Sequence, residues 1–146
     1  MAVIQVIDGV LYGASETIVE MVRQRIPNAF DGFSEAAVGL GVVKDGRLLG
    51  GVVFDQYTER NIVMSGAFDS PRWCSRSTLR RLFRYPFVQL GLRRMTTITT
   101  ADNHRALRLD TWLGFQYEGT LRKFFPNDVD GVVLGMLREE CRWLGD

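Results

Sequence analysis

Seven arginines lie in a stretch of the chain that contains no acidic residue. The stretch runs from Ser70 to Met95, and its arginines are Arg72, Arg76, Arg80, Arg81, Arg84, Arg93 and Arg94. Two small hydroxyl residues, Ser75 and Ser77, flank the second of them. Guanidinium groups form strong, charge-assisted hydrogen bonds to phosphate. The stretch therefore predicts either a phosphate-binding surface or an arginine-rich helix face that is simply solvated.

The position of this stretch, at a predicted strand–helix junction, favours the phosphate site. The β-rich segment Ile62–Phe68 precedes it, and apolar residues then recur every three or four positions, which predicts a helix. The first N–H groups of a helix lack internal partners, so anions bind there readily. Capping of the helix by Ser75 or Ser77 is an alternative use of these serines. The predicted phosphate contacts are Arg72, Ser75, Arg76, Ser77 and Thr78.

The remaining patterns predict one mixed sheet with helices on its faces. The expected order is strand, helix, three antiparallel strands, helix, strand, helix and two strands, with a short helix at Glu139–Leu144. Asp45-Gly46 predicts a hairpin turn, because both turn positions need positive φ. Ser15 is the expected N-cap of the first helix and Pro27 its stop, and Pro86 should kink or end the second. No repeat or linker interrupts the chain, so we expect a single domain over residues 1–146.

Composition excludes several classes of protein. The 146 residues are 46% hydrophobic and 24% charged, which is typical of a soluble globular protein. The net charge of +1 gives no global attraction for nucleic acid. Two cysteines and one histidine, His104, form no metal-binding pattern, so no metal is expected. No signal peptide or membrane-spanning run is evident, so we expect no membrane partner and a cytoplasmic location.

Four short motifs follow one another along the second half of the chain: Arg72–Ser77, Asn103–Ala106, Leu113–Phe115 and Glu118–Arg122. In this order they resemble motifs of the GNAT superfamily of acyl-CoA-dependent N-acyltransferases. The last of them is similar to the branch that acetylates the N-termini of ribosomal proteins. The resemblance covers roughly Gly50 to Leu144 and implies a GNAT-like α/β (α+β) fold, with a mixed, mostly antiparallel central sheet flanked by helices.

The resemblance implies acetyl-CoA as co-substrate and assigns residues to it. Residues Arg72–Ser77 would form the loop that cradles the pyrophosphate, but serine stands at both positions where the family has a small residue, usually glycine. Serine allows a less close approach of phosphate to the backbone, so cofactor affinity could be reduced. The family binds the thioester carbonyl through a backbone N–H of the strand before this loop. The further expected cofactor contacts are Gly66, Ala67, Phe68 and Asn103.

The resemblance assigns no clear acid or base. The family often has a tyrosine, which protonates the leaving thiolate, seven residues after the asparagine, and Asp110 occupies that position here. An ionised aspartate cannot donate a proton unless burial raises its pKa strongly. The tyrosine's role is therefore not transferred, and Asp110 and Asp69 remain weak catalytic candidates.

The function expected from the sequence is transfer of an acetyl group to a primary amine by direct attack on the thioester. The acceptor would be a small molecule or the α-amine of a protein or peptide, and a homodimer is left open. The alternative is a catalytically degenerate GNAT-like module that binds CoA or another partner, which the altered loop and the missing tyrosine both favour. A nucleic-acid-binding protein is the least favoured reading, because the chain is nearly neutral.

Overall fold

All strands that the structure describes belong to one sheet. The computed structural model describes residues 3–26 and 32–145. The strands, in chain order, are β1 (Gln5–Ile7), β2 (Val10–Tyr12), β3 (Val38–Lys44), β4 (Arg47–Asp55), β5 (Val63–Phe68), β6 (Arg94–Thr100), β7 (Gln116–Phe125) and β8 (Val129–Leu137). Their order in the sheet is β1-β2-β3-β4-β5-β6-β8-β7, and only β5 and β6 are parallel neighbours. The predicted fold class, a mostly antiparallel mixed sheet flanked by helices, is confirmed.

Three α-helices cover the two faces of this sheet: α1 (Ser15–Arg25), α2 (Arg76–Arg84) and α3 (His104–Leu113). Because side chains alternate along a strand, Val52 of β4 belongs to the large core beneath α2 and α3, whereas Val53 packs against α1. A Cβ on Gly51 would lie 2.6 Å from Cγ2 of Ile18, so the glycine lets α1 approach β4 closely. We call the two sides the α1 face and the α2/α3 face.

Two local predictions about backbone geometry are confirmed. Asp45 and Gly46 have φ values of 52° and 75°, as the hairpin turn between β3 and β4 requires. The second helix changes from α2 to one π-helical turn over Tyr85–Gln89, where Leu90 N–H donates to Tyr85 O at 2.9 Å. Pro86 lies at the start of that turn and has no N–H to donate, which explains the change.

The ends of α1 differ from the prediction or cannot be compared with it. The N-cap is Ala14, and Ser15 is the first helical residue. The Ser15 hydroxyl instead accepts a hydrogen bond from Gly39 N–H at 2.9 Å, because β3 lies within its reach. The helix ends at Arg25, and the predicted stop, Pro27, lies outside the described residues.

Two elements at the ends of the chain were predicted wrongly. Strand β2 was not expected, although Asp8-Gly9 before it carries the same hairpin signal as Asp45-Gly46. The predicted helix Glu139–Leu144 is wrong: only one 3₁₀ turn forms, over Arg138–Glu140. Beyond it the chain is held by tertiary contacts, among them the hydrogen bond from the Trp143 indole N–H to Leu113 O at 2.7 Å. None of the helices in the described ranges is long and apolar enough to cross a membrane.

Candidate active site

Strands β5 and β6 separate soon after they begin, which opens a gap in the middle of the sheet. Their paired residues are Val63 and Thr96, next to the hydrogen bond from Thr96 N–H to Ile62 O at 2.9 Å. From there on, β5 is paired only with β4. The gap between residues 64–68 of β5 and residues 97–100 of β6, which we call the slot, contains a cavity of about 630 Å³.

The backbone of β5 presents unused hydrogen-bonding groups to this slot. Peptide groups point to alternate sides along a strand. Ile62 O is bonded towards β6, whereas Asp69 N–H is bonded to Leu49 O towards β4. The N–H and C=O groups of Gly66 and Phe68 therefore point into the slot, and those of Ala67 point to β4. A ligand in the slot can hydrogen-bond to the strand as a neighbouring strand would.

Two helices begin at the same end of the slot. Since β5 and β6 run in the same direction, the helices that follow them, α2 and α3, both begin at the same edge of the sheet. Ser75 caps α2 by accepting from Thr78 N–H at 3.3 Å, and Asn103 caps α3 by accepting from Ala106 N–H at 3.1 Å. Both helix dipoles thus place partial positive charge near the cavity, where an anion is stabilised.

The sequence-predicted cofactor residues divide between two cavities. Gly66, Ala67, Phe68 and Asn103 line the slot cavity, as do the two catalytic candidates, Asp69 and Asp110. The predicted phosphate contacts Arg72, Ser75, Ser77 and Thr78 line a smaller cavity of about 310 Å³. Asp8 and Asp45 also line this smaller cavity, and Arg76 lines neither. The structure therefore does not bring the predicted set together in one cavity.

The side chains around the smaller cavity are already engaged within the protein. The buried Thr78 hydroxyl donates to Asp8 O at 2.9 Å and accepts from the Ser75 hydroxyl at 2.9 Å. Arg72 forms an exposed ion pair with Asp45 at 3.5 Å. These contacts fix the β1–β2 turn and the β3–β4 turn against the start of α2. In this state the Thr78 hydroxyl cannot donate to a phosphate, because it already donates to Asp8 O.

Asp110 places a buried carboxyl group in the wall of the slot cavity. The residue is only 8% exposed, and its Oδ2 accepts a hydrogen bond from the Thr99 hydroxyl at 2.9 Å. Burial raises the pKa of this carboxyl to about 6, and the Thr99 hydrogen bond opposes the rise. Sequence reasoning required burial to raise this pKa before Asp110 could donate a proton, and burial in the wall of the slot cavity raises it in that direction.

Comparison with known proteins supports the fold that these features suggest. No family model matches the chain. An uncharacterised, prophage-derived N-acetyltransferase of Bacillus subtilis, YokL, is 36% identical over 62 residues, which are 40% of this chain and 35% of that protein. The match thus spans about a third of the length of this curated relative.

Solved acetyltransferases share the architecture of most of the chain. A chimera of the Vibrio cholerae spermidine N-acetyltransferase superposes with a TM-score of 0.65 and 21% identity, over 77% of this chain and 73% of that one. Mycobacterium smegmatis RimJ, solved with CoA-disulfide, gives a TM-score of 0.63 and 18% identity, over 71% and 54%. A probable acetyltransferase gives 0.64 and 20%, over 71% and 63%. The chain has the GNAT fold. The ribosomal-protein branch stays a prediction.

Two other reactive side chains lie in the cavity of this GNAT fold. Asp69 is exposed at the end of β5, and its Oδ2 accepts from Arg25 Nη1 at 2.9 Å. Cys74 is half-buried, and burial raises the pKa of its thiol to about 11. At neutral pH that thiol carries its proton, so it is a poor nucleophile. Within the described ranges, no cluster of three or more His, Cys, Asp or Glu side chains could hold a metal ion.

Sequence reasoning missed the part of the GNAT slot that β6 and α1 contribute. Thr97 and Thr99 of β6 lie on the α2/α3 face, Ile98 and Thr100 lie on the α1 face, and Arg25 lines the cavity at the end of α1. The adjacent threonine pairs at positions 96–97 and 99–100 were a signal that both faces of this strand are partly polar, because neighbouring residues of a strand point to opposite faces. No signal in the sequence linked Arg25 to Asp69, because 44 residues separate them along the chain.

Proposed function

We propose that this chain is an acetyl-CoA-dependent N-acetyltransferase that transfers an acetyl group to a primary amine by direct attack on the thioester. The observation that carries the proposal is the slot, in which the Gly66 and Phe68 peptide groups face a mostly apolar cavity that is lined by residues from both faces of the sheet. Backbone N–H groups fixed in a dry cleft stabilise the oxyanion that forms during acyl transfer. The acetyltransferases that share the fold support this reading.

The residues around the slot fit the chemical parts of acetyl-CoA. The amides of a pantetheine arm can pair with the free peptide groups of β5. Gly66 has no side chain on the α2/α3 face, so nothing from this residue blocks that path. The phosphates would lie at the N-termini of α2 and α3, where Arg72, Arg76 and Arg105 supply positive charge. Arg72 must leave Asp45 to do so, and an exposed pair costs little to break.

Asp110 is the side chain that we assign as proton donor to the leaving thiolate. When the amine nitrogen bonds to the carbonyl carbon, the carbon–sulfur bond breaks and the sulfur takes up the proton of Asp110. The nitrogen releases one proton to water as the amide forms, and Asp110 is reprotonated from water, so one proton is lost and one is gained. A buried carboxyl group with a pKa of about 6 holds a proton more readily than an exposed one. Thr99 orients the carboxyl group through its hydrogen bond. Sequence reasoning left this role unassigned.

The acceptor is proposed only as a primary amine, with an α-amine of a protein or peptide favoured by the resemblance of Glu118–Arg122. We also propose one domain and a cytoplasmic location, which the free state of both cysteines, Cys74 and Cys141, supports. A homodimer would be consistent with the proposed reaction, but the proposal does not depend on dimer formation.

Acetyl-CoA binding followed by amine-dependent thiol release tests the proposal. Calorimetry should give binding in the micromolar range that weakens in high salt, and a panel of amines should identify at least one that releases CoA. A folded chain that shows no binding and no release would contradict the proposal.

The second candidate function is a GNAT-like module that binds CoA without catalysis. The engagement of Ser75 and Thr78 within the protein favours it, because both hydroxyls were predicted phosphate contacts. Binding of acetyl-CoA without release of CoA by any amine in the panel would support this second function and exclude the first.

A further inference from the structure

We propose that Arg25 binds an anionic group of the acceptor, so that the preferred acceptor is a primary amine with a carboxylate a few bonds from the reacting nitrogen. This inference rests on the proposed acetyltransferase function and concerns the acceptor side of the same slot. Arg25 lies in the wall of the slot cavity at the end of α1, and no other part of the proposed mechanism uses it.

The two sides of the slot, one on each face of the sheet, differ in the charge of the residues that line them. The α2/α3 face holds both helix N-termini and the arginines at positions 72, 76 and 105, which suit a polyanionic cofactor. The acceptor must then enter from the α1 face. On that side the cavity is lined by Ser65, Ala67, Ile98 and Thr100, which carry no charge, and by the Arg25–Asp69 pair.

Arg25 has hydrogen-bonding capacity left on the α1 side of the slot. A guanidinium group has five N–H donors. Only Nη1 is used within the described part of the chain, in the bond to Asp69 Oδ2 at 2.9 Å. Asp69 holds the guanidinium at the end of β5, and Ile26 and Phe125 line the cavity with it. A carboxylate that approaches can therefore accept two parallel hydrogen bonds in partly apolar surroundings, where such bonds are strong.

Three carboxylates on the α1 face already have partners, which disfavours a polyamine as acceptor. Asp69 binds Arg25, and Glu118 binds Arg94 Nη2 at 2.5 Å. Asp55 accepts hydrogen bonds from Ser34 N–H and Gln56 N–H, both at 2.8 Å. A second ammonium group on the acceptor would meet the Arg25 charge and none of these carboxylates in a free state. Like charges at close range oppose binding.

The position of Arg25 also sets the distance between the amine and the anion. The reacting carbonyl is proposed to lie at Gly66–Phe68, and Arg25 is held at Asp69. One to three residues of the strand separate these positions, which is about 3 to 10 Å. A γ-amino acid or a peptide with an acidic second residue can place its amine and its carboxylate about that far apart. Both kinds of acceptor carry a primary amine and a carboxylate on one flexible molecule.

Matched acceptor pairs test this proposal. The probes are 4-aminobutyrate against its amide, a short peptide beginning Ala-Glu against one beginning Ala-Gln, and spermidine as the polycation. Thiol release with saturating acetyl-CoA gives kcat and KM for each. The wild-type protein should prefer the anionic member of at least one pair by about tenfold in kcat/KM, as expected for a charge-assisted hydrogen bond. The pair that shows the preference identifies the kind of acceptor.

Variants of α1 show whether Arg25 carries the preference. Arg25→Gln should remove it mainly by raising KM for the anionic member of the pair, and Arg25→Lys should restore part of it. Arg23→Gln is the matched control, because Arg23 pairs with Glu20 on the exposed side of the same helix. Circular dichroism and thermal melting check that each variant is folded.

Three results would overturn the inference. They are equal kcat/KM within both pairs, an anion preference that persists in Arg25→Gln, and a preference for spermidine. In each of them an amine is still acetylated, so the proposed function stands. Absence of release with every probe, despite bound acetyl-CoA, would instead remove the proposed function and this inference with it.

Discussion

The slot between β5 and β6 and the start of α2 were both predicted to bind acetyl-CoA, but they use their polar groups in opposite ways. In the slot, divergence of the two strands leaves the Gly66 and Phe68 peptide groups unpaired. At the start of α2, the Ser75 hydroxyl donates to the Thr78 hydroxyl, which in turn donates to Asp8 O in the β1–β2 turn. The type of a side chain therefore indicates which chemistry it can do, whereas only the fold shows whether its donors are still available.

The slot should be the more sensitive of the two regions. Gly66→Val places a side chain on the α2/α3 face of β5, where the pantetheine arm is proposed to lie. We expect acetyl-CoA affinity to fall by about 100-fold or more, because lost van der Waals and backbone contacts together exceed 2.7 kcal/mol. Calorimetry measures this loss. Gly119→Val is the control, since a Cβ there meets no atom within 4 Å. Equal affinity in both variants would place the cofactor elsewhere.

Catalysis should depend on Asp110 more than binding does. Asp110→Asn removes the proposed proton donor, so kcat should fall by about 100-fold, within the range of general acid catalysis, and acetyl-CoA affinity should change less than about twofold. In the wild type, kcat should decrease as pH rises above the pKa of this carboxyl, about 6 in the free protein, because the acid loses its proton. Full activity of the variant with an unchanged pH profile would contradict the assignment.

Asp110 should also make the stability of the protein depend on pH. Its folded pKa is raised from 3.8 to about 6, so its favourable contribution is complete below the unfolded value and is lost as pH rises through the folded one. The loss is at most about 3 kcal/mol, from about 1.4 kcal/mol per pKa unit. Urea unfolding should show Asp110→Asn to gain stability relative to the wild type as pH rises from about 3 to 8, because only the wild type loses the contribution of the protonated carboxyl over this range. A wild type that instead gains stability relative to the variant would show that the carboxylate has a favourable partner there.

The start of α2 should contribute less to affinity than the slot. Arg72→Ala and Arg76→Ala should each weaken acetyl-CoA binding by about three- to tenfold, because exposed charge contacts are worth about 1 kcal/mol. The effect should shrink in high salt, where such contacts are screened. Asp45→Asn should do the reverse and tighten binding by up to about twofold, since it frees Arg72. Unchanged affinity in both arginine variants would remove the phosphate assignment.

The fold could be predicted where local signals agreed. Asp45-Gly46 fixed a hairpin, Asn103 and Gly114 bounded α3, and Pro86 altered the helix in which it lies. The wrong predictions lie where tertiary contacts decide. β2 is a three-residue strand, too short to show alternation, and the Glu139–Leu144 segment is held by Trp143 against α3 rather than by helical hydrogen bonds.

The site could be predicted only in part, for a related reason. The order of the elements that hold Gly66, Phe68 and Asn103 could be predicted from the sequence. The resemblance assigned all three to one cofactor, and they line one cavity. The burial of Asp110 and the Arg25–Asp69 pair depend on contacts between distant segments. Contacts between distant segments produce no periodic pattern in the sequence. Here they determine the pKa of Asp110 and the position of the Arg25 charge beside the slot.

Amide hydrogen exchange along β5, measured by NMR with and without acetyl-CoA, tests most directly whether the slot is the cofactor site. In the free protein, the Ala67 amide should be protected by its pairing with β4, and the amides of Gly66 and Phe68 should exchange faster. Saturation with acetyl-CoA should slow exchange at Gly66 and Phe68 and leave Ala67 unchanged. If acetyl-CoA binds and these two amides still exchange at the same rate, the cofactor does not lie in the slot, and the account is wrong at its centre.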